Sequence, residues 1–211
     1  MMDDSRYINS LIAEGEHEQQ DFKYKVMDAE KLSRSVSAFA NTSGGRLLIG
    51  VRDDGNISGV RSEEEIYMMH AAAYEYCRPS SNIHFDTYHI GKRTIVIATI
   101  PRSSHRPVKA VTPEGKHQAY IHIADENIIA SPVHLQLWRD EQSTHPVVMQ
   151  YNDEEASFLH LLDGMEPQPL NHLVRASGLP RKEVIVLLAR LIRFGIVKWR
   201  YDGHQFIFGN G

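Results

Sequence analysis

The chain has 211 residues, enough for one large domain or two small ones. With 42% hydrophobic and 24% charged residues it can bury a core, which excludes a disordered chain. Lys and Arg number 23 against 27 Asp and Glu, a net charge of −4, which excludes a polycation and means that any phosphate binding must come from a local patch. A single cysteine, Cys77, excludes a disulfide framework and a cysteine-rich zinc module, and fits a reducing compartment. No apolar run approaches the roughly 18 residues of a membrane span. The N-terminus, MMDDSRYINS, lacks the basic and apolar regions of a secretory leader. The expectation is a cytoplasmic protein with no membrane partner.

In chain order, Met1 to about Glu14 reads as a short helix with Ile8, Leu11 and Ile12 on one face and Gly15 ending it. His17 to Val26 alternates, with Gln20, Phe22, Tyr24 and Val26 on one side and Asp21, Lys23 and Lys25 on the other, a strand with one charged face. Asp28 caps a helix to about Asn41, with Leu32, Val36, Phe39 and Ala40 at core spacing. Gly44-Gly45 breaks it. Residues 46–51 form a short apolar run suited to a buried strand, and Asp53-Asp54-Gly55-Asn56 is turn chemistry. Ser62 to Glu65 reads as a capping box before a helix to about Cys77.

Residues 83–90 and 93–100 read as strands joined at Gly91-Lys92, followed by a long loop from Pro101 to about Gln118 and a strand at 119–123. Ser131-Pro132 opens another helix. The expected division is a first domain at 1–140, a linker at 141–152 and a second domain at 153–211. In the second, helices at about 153–163, 169–177 and 180–194 precede strands at 196–201 and 204–208 joined by Asp202-Gly203. Three helices and a hairpin in about 60 residues is the layout of a winged helix-turn-helix.

Two kinds of chemistry stand out. Glu14, Glu16, Glu18 and Asp21, with Asp53 and Asp54, supply the several carboxylate oxygens that a hard cation needs. Lys23 beside Asp21 could stabilise phosphoryl charge next to a metal. The plainer alternative is a solvated helix end and an ordinary turn. Basic charge is the second. The 101–118 loop carries Arg102, Arg106, Lys109 and Lys116 against Glu114 alone, with Lys23, Lys25, Lys31, Arg34 and Arg46 available nearby in sequence. The helix at 181–194 offers Arg181, Lys182, Arg190 and Arg193 outside its apolar stripe, and the hairpin adds Lys198 and Arg200, opposite to Trp199 and Tyr201. Against this, residues 150–211 balance seven Lys/Arg with seven Asp/Glu, and that helix lacks the Asn, Gln, Ser and Thr that read base edges beside Arg. P-loop, dinucleotide-binding and HExxH patterns are missing, and His84/His89 and His117/His122 read as surface or satisfied core residues rather than zinc ligands.

Glu14-Gly-Glu16, Asp21-Phe-Lys23, the run Ala38-Phe-Ala-Asn-Thr-Ser-Gly-Gly45, and Leu48-Ile-Gly-Val51 with Asp53-Asp54-Gly55 resemble the Schlafen-type Alba-like domain, over about residues 14–132. The resemblance implies an α+β fold, helices around a mixed or antiparallel sheet, and a domain usually labelled as DNA-binding. Bacterial members often carry a C-terminal helix-turn-helix and are described as predicted transcriptional regulators, which the resemblance implies here as well. Some members are endoribonucleases with three acidic residues, which fall here on Glu16, Asp21 and Asp53, or on Asp54 if the turn is offset. Asp21 stands where glutamate is usual, and His122-Ile-Ala-Asp125 stands where many members place an arginine and a glycine-serine turn.

The first expectation is therefore a nucleic-acid-binding regulator, with DNA ahead of RNA. Its contacts would come from Lys23, Arg46, Arg102, Arg106 and Lys109, and from Arg181, Lys182, Arg190, Arg193, Lys198 and Arg200, with no cofactor required. The second is a metal-dependent endonuclease, more for RNA than DNA, in which Glu16, Asp21 and Asp53 hold Mg²⁺ or Mn²⁺ and Lys23 assists. The third is an interaction adaptor or homo-oligomer using the apolar helix 184–192.

Overall fold

The computed structural model describes residues 4–60, 63–144 and 152–210, which form two compact units, one ending at Ala130 and the other beginning at Ser131. In the first unit the elements run α1 (Asp4–Glu14), β1 (Gln20–Lys23), α2 (Ala29–Asn41), β2 (Gly45–Ile49), α3 (Glu64–Tyr74), β3 (Cys77–Arg78), β4 (His84–Ile90), β5 (Arg93–Ile100), β6 (Lys109–Val111), β7 (His117–Ile123) and β8 (Glu126–Ile129). Two four-stranded sheets result, in the orders β1-β2-β5-β4 and β3-β6-β7-β8. β1 and β2 are parallel and every other pair is antiparallel. The fold is mixed α+β.

Strand alternation assigns the faces of the first sheet. Phe22, Leu48, Ile95 and Ile97 pack with Ile8 and Leu11 of α1. Leu47, Ile49, Val96, Ala98 and Ile100 point the other way, onto Val36, Phe39 and Ala40 of α2. α2 also meets the second sheet, where Ala38 contacts Ala110 and Tyr120. A helix with a sheet on either side must be apolar most of the way round, and ten of its thirteen residues are buried. The polar group that clamps it is Asn41. Its Nδ2 donates to the carbonyls of Val108 (2.8 Å) and Tyr120 (3.0 Å), and its Oδ1 accepts from the Val108 amide at 2.7 Å.

Several sequence expectations need correction. β1 is shorter than 17–26, because His17 and Gln20 exchange backbone hydrogen bonds in a tight bridge. Nor does it carry an exposed charged face, since Gln20, Asp21 and Phe22 are all buried. Cys77 lies in β3 rather than in α3, and the long loop contains β6. Ser62, the expected cap of α3, lies outside the described residues. Ser131 does cap the next helix, accepting from the His134 amide.

The second unit contains α4 (Pro132–Glu141), α5 (Asp153–Asp163), β9 (Gln168–Pro169), α6 (Leu170–Ser177), α7 (Arg181–Arg193), β10 (Val197–Tyr201) and β11 (Phe206–Asn210). The division thus falls ten residues before the expected boundary at 140. α4 belongs here because it packs along α7, with Val133 and Trp138 buried. The linker expected at 141–152 lies largely outside the described residues. β9 joins the hairpin as a third strand, in the order β10-β11-β9. The hairpin loop has four residues, not two, since Tyr201 pairs with Phe206. The Asp202 carboxylate closes it by accepting from the amides of His204 (2.9 Å) and Gln205 (2.8 Å).

Candidate nucleic-acid interface

The carboxylates come together only in part. β1 carries Asp21 into the interior, where it pairs with Lys23 at Nζ–Oδ2 2.5 Å. Glu16, in the turn before β1, accepts from the Phe22 amide at 2.9 Å and shares a hydrogen bond with Asp21. Burial raises the Glu16 pKa above its ordinary value, the bond to Asp21 adds to this, and the Phe22 amide opposes it. The two acids therefore form a hydrogen-bonded carboxyl pair beside the Lys23 ammonium.

Asp53 is exposed in the turn after β2, and its neighbour Asp54 is spent on Asn56, accepting from its amide at 2.9 Å. Among the described residues no three acidic, histidine or cysteine side chains converge as ligands of one ion. The expected Glu16–Asp21–Asp53 metal site is thus not assembled by this geometry, nor is Asp54 drawn into it. Residues of the right type, spaced as the motif requires, still need their oxygens within one coordination sphere.

A feature that the sequence did not announce lies near the same pair. His122 on β7 is buried, its ring 4.3 Å from that of Phe39, and its Nδ1 sits 3.0 Å from Asn127 Oδ1. Asn127 in turn donates to Ser35 of α2 at 2.9 Å. Burial lowers the His122 pKa, opposed in part by the hydrogen bond with Asn127. His122 is thus a core residue bonded at Nδ1, but its buried Nε2 has no hydrogen-bond partner among the described residues, so it is not the fully satisfied core histidine expected.

The cations divide into three groups. Lys23, Arg46 and Arg190 are cancelled in place. Lys23 lies on Asp21, Arg46 on Glu14 (2.5 Å) with its Nε donating to Gln20 (2.6 Å), and Arg190 on the buried Glu155. Arg181 and Arg193 keep their charge but each spends an N–H on a neutral oxygen, Asn171 Oδ1 (2.5 Å) and the Asp140 carbonyl (3.0 Å), and Arg106 donates to the Asn41 carbonyl (3.2 Å). Arg102, Lys109, Lys182, Lys198 and Arg200 pair with no acid among the described residues, and Lys116 joins them. On β10, Lys198 and Arg200 are exposed while Trp199 and Tyr201 face Phe206, with ring centroids 5.7 and 5.3 Å away. The apolar stripe of α7 is not a spare docking face, because Val184, Leu187, Leu188 and Leu191 are buried in the unit's own core.

An α+β unit with a central helix between two small sheets, followed by a small helical unit with a three-stranded sheet, is the class that this geometry defines. Residues 16–131, more than half of the chain, match the family described as Schlafen, AlbA_2, and the chain belongs to it. No curated protein matches the chain. Among solved structures it is similar to the DIP2311 protein of Corynebacterium diphtheriae (14% identity, TM-score 0.48), over 95% of this chain and 37% of that one. It is also similar to the N-terminal domain of a RecG-related protein from Nitrosomonas europaea (16% identity, TM-score 0.41), over 72% of this chain and 98% of that one. The chain thus spans little more than a third of the first of these. Among the described residues no helix is long and apolar enough to cross a membrane.

Proposed function

We propose that the chain is a nucleic-acid-binding protein, and more narrowly a transcriptional regulator. It holds the phosphate backbone through Arg102, Lys109 and Lys116 of the first unit. Lys182, Lys198 and Arg200 of the second unit act as part of a winged helix-turn-helix in which α7 approaches the duplex and the β10–β11 hairpin is the wing. Duplex DNA is the first ligand and RNA the second. The observation that carries the reading is the partition of charge. In a chain of net charge −4, these six cations form no salt bridge with an acid among the described residues, while Lys23, Arg46 and Arg190 are neutralised internally. Arg181 and Arg193 add charge along α7. Membership of the Schlafen, AlbA_2 family supports the first unit's part in it.

The test is a titration of the full chain with duplex DNA, single-stranded DNA and structured RNA at two salt concentrations. Six phosphate contacts imply a weakening on the order of a thousandfold between about 50 and 200 mM salt. Absence of binding at the lower concentration would end the proposal. Metal-dependent cleavage is not part of it, because Asp53 does not join Glu16 and Asp21 in a group of ligands.

A further inference from the structure

The α1 face of the first sheet is only partly covered. In register across three strands, Arg46 on β2 lies opposite Thr99 on β5, and Ile97 on β5 lies opposite Asp86 on β4. Alternation puts all four on the same face as Leu48 and Ile95, which α1 covers. Beyond the flank of α1 that carries Tyr7 and Glu14, the face opens into a cavity of about 550 Å³. That volume lies within the roughly 300–1,000 Å³ of small-molecule sites. Ile97 and Thr99 form its floor, and Tyr7 and Tyr88, with ring centroids 5.3 Å apart, form one wall.

The polar groups of this cavity discriminate between ligands. Glu14 and Asp86 outnumber Arg46, so a phosphate is disfavoured here. Asp86 is exposed and accepts no hydrogen bond from any described residue, which leaves a free carboxylate acceptor on one side. On the other, Arg46 spends one N–H on Gln20 and one on Glu14, leaving three of its five donors unused. The two side chains rise from strands separated by one other and are offset by two residues along them, so their backbones stand about 12 Å apart. A planar heterocycle hydrogen-bonded at both edges spans such a gap. An acceptor facing one edge and a guanidinium facing the other is the complement of guanine, whose N1–H and N2–H₂ are adjacent donors and whose O6 and N7 are adjacent acceptors.

We infer that this cavity is a binding site for an unpaired guanine base, read by the Asp86 carboxylate on its donor edge and by Arg46 on its acceptor edge. The inference deepens the nucleic-acid reading and rests on it for the source of the base, which is an extruded or single-stranded nucleotide. Base recognition here is separate from phosphate contact by the exposed lysines and arginines.

The experiment titrates the full chain at fixed salt with GMP, AMP, CMP and UMP. A parallel series uses four short single strands that differ in one base, with binding followed by calorimetry. Guanine is expected to bind on the order of tenfold more tightly than the other bases, the discrimination of one good bidentate pair. The Asp86→Asn variant loses that preference, with an unchanged melting temperature and an unchanged salt dependence. Binding of GMP alone would identify a free nucleotide as the source, and a guanine preference only within the strands would identify the polymer. Equal affinity for all four bases, or a guanine preference that survives in Asp86→Asn, would overturn the inference. Loss of salt-dependent polymer binding with GMP recognition intact would instead remove the wider proposal and leave the site.

Discussion

Lys198 and Arg200 offer the sharpest test of where phosphate is held. They point outward from β10, while Trp199 and Tyr201 between and beside them pack on Phe206, so replacing both by Ala leaves the hairpin's aromatic contacts in place. Each cation that meets a phosphate of duplex DNA contributes about −0.9 to the slope of log affinity against log salt. Removing two should therefore make the slope shallower by about 1.8, so that a fourfold rise in salt costs the variant about twelvefold less affinity than it costs the parent. Fluorescence anisotropy of labelled duplex DNA with the full chain, at four salt concentrations, measures it. Arg190→Ala is the contrasting substitution. Its guanidinium lies on the Glu155 carboxylate, whose side chain is 2% exposed, and the second oxygen of that carboxylate has no hydrogen-bond partner among the described residues. Removing Arg190 leaves a buried charge uncompensated, at a cost of roughly 3 kcal/mol in stability, with no change in slope. An unchanged slope in the Lys198/Arg200 variant would refute the wing's part in binding. A shallower slope in a folded Arg190→Ala chain would show that Arg190 leaves Glu155 to reach phosphate.

Three further outcomes follow from the packing. Asn41→Ala strands the Val108 amide and the Tyr120 carbonyl between α2 and the second sheet, while the Val108 carbonyl keeps its bond from Ser37 Oγ, and should lower the unfolding free energy by about 3 kcal/mol in urea titration. Gly44→Ala combines a φ of +77° with a Cβ placed 2.9 Å from the Arg102 amide nitrogen and the Ile100 carbonyl oxygen, and should cost about 2 kcal/mol or more, read as a lower melting temperature. Burial pushes the His134 pKa down from 6.5 to about 3, so the folded chain keeps this ring neutral while the unfolded chain protonates it below pH 6.5. The stability from the neutral ring is fully present above about pH 6.5 and falls by about 1.4 kcal/mol per unit as the pH drops toward 3. His134→Gln, which can still close the capping box with Ser131, should show a shallower decline between pH 7 and 5 than the parent in paired urea titrations.

The sequence made some of this legible and hid the rest for identifiable reasons. α2 was readable from Asp28 and the spacing of Leu32, Val36 and Phe39, and the β4–β5 hairpin from its alternation around Gly91-Lys92. β3, β8 and β9 have two to four residues, too few for any period to appear, and each exists only because a neighbouring strand offers it hydrogen bonds. The Ala38–Gly45 run was readable as a family signature, but its physical work is structural. Phe39 fills the core, Asn41 clamps the second sheet, and Gly45 leaves room for the Phe39 ring, which a Cβ would meet at 2.3 Å. Asp21 was misplaced because alternation gives the side of a strand and not what covers that side.

The same gap between residue type and environment decides the candidate site. Eleven cations named from sequence are alike on paper, yet a carboxylate within reach turns Lys23, Arg46 and Arg190 into internal counter-ions. Five of them form no salt bridge among the described residues, Arg102 in the loop after β5, Lys109 on β6, Lys182 at the start of α7, and Lys198 and Arg200 on β10. Acid residues follow the same logic in reverse. Burial and the hydrogen bond with Asp21 raise the Glu16 pKa, and a cation would relieve that only with further oxygen donors at the same point. Asp53 faces solvent in its turn instead. The pair is therefore held by Lys23 and the Phe22 amide, and the proposed phosphate contacts fall to side chains that form no salt bridge among the described residues.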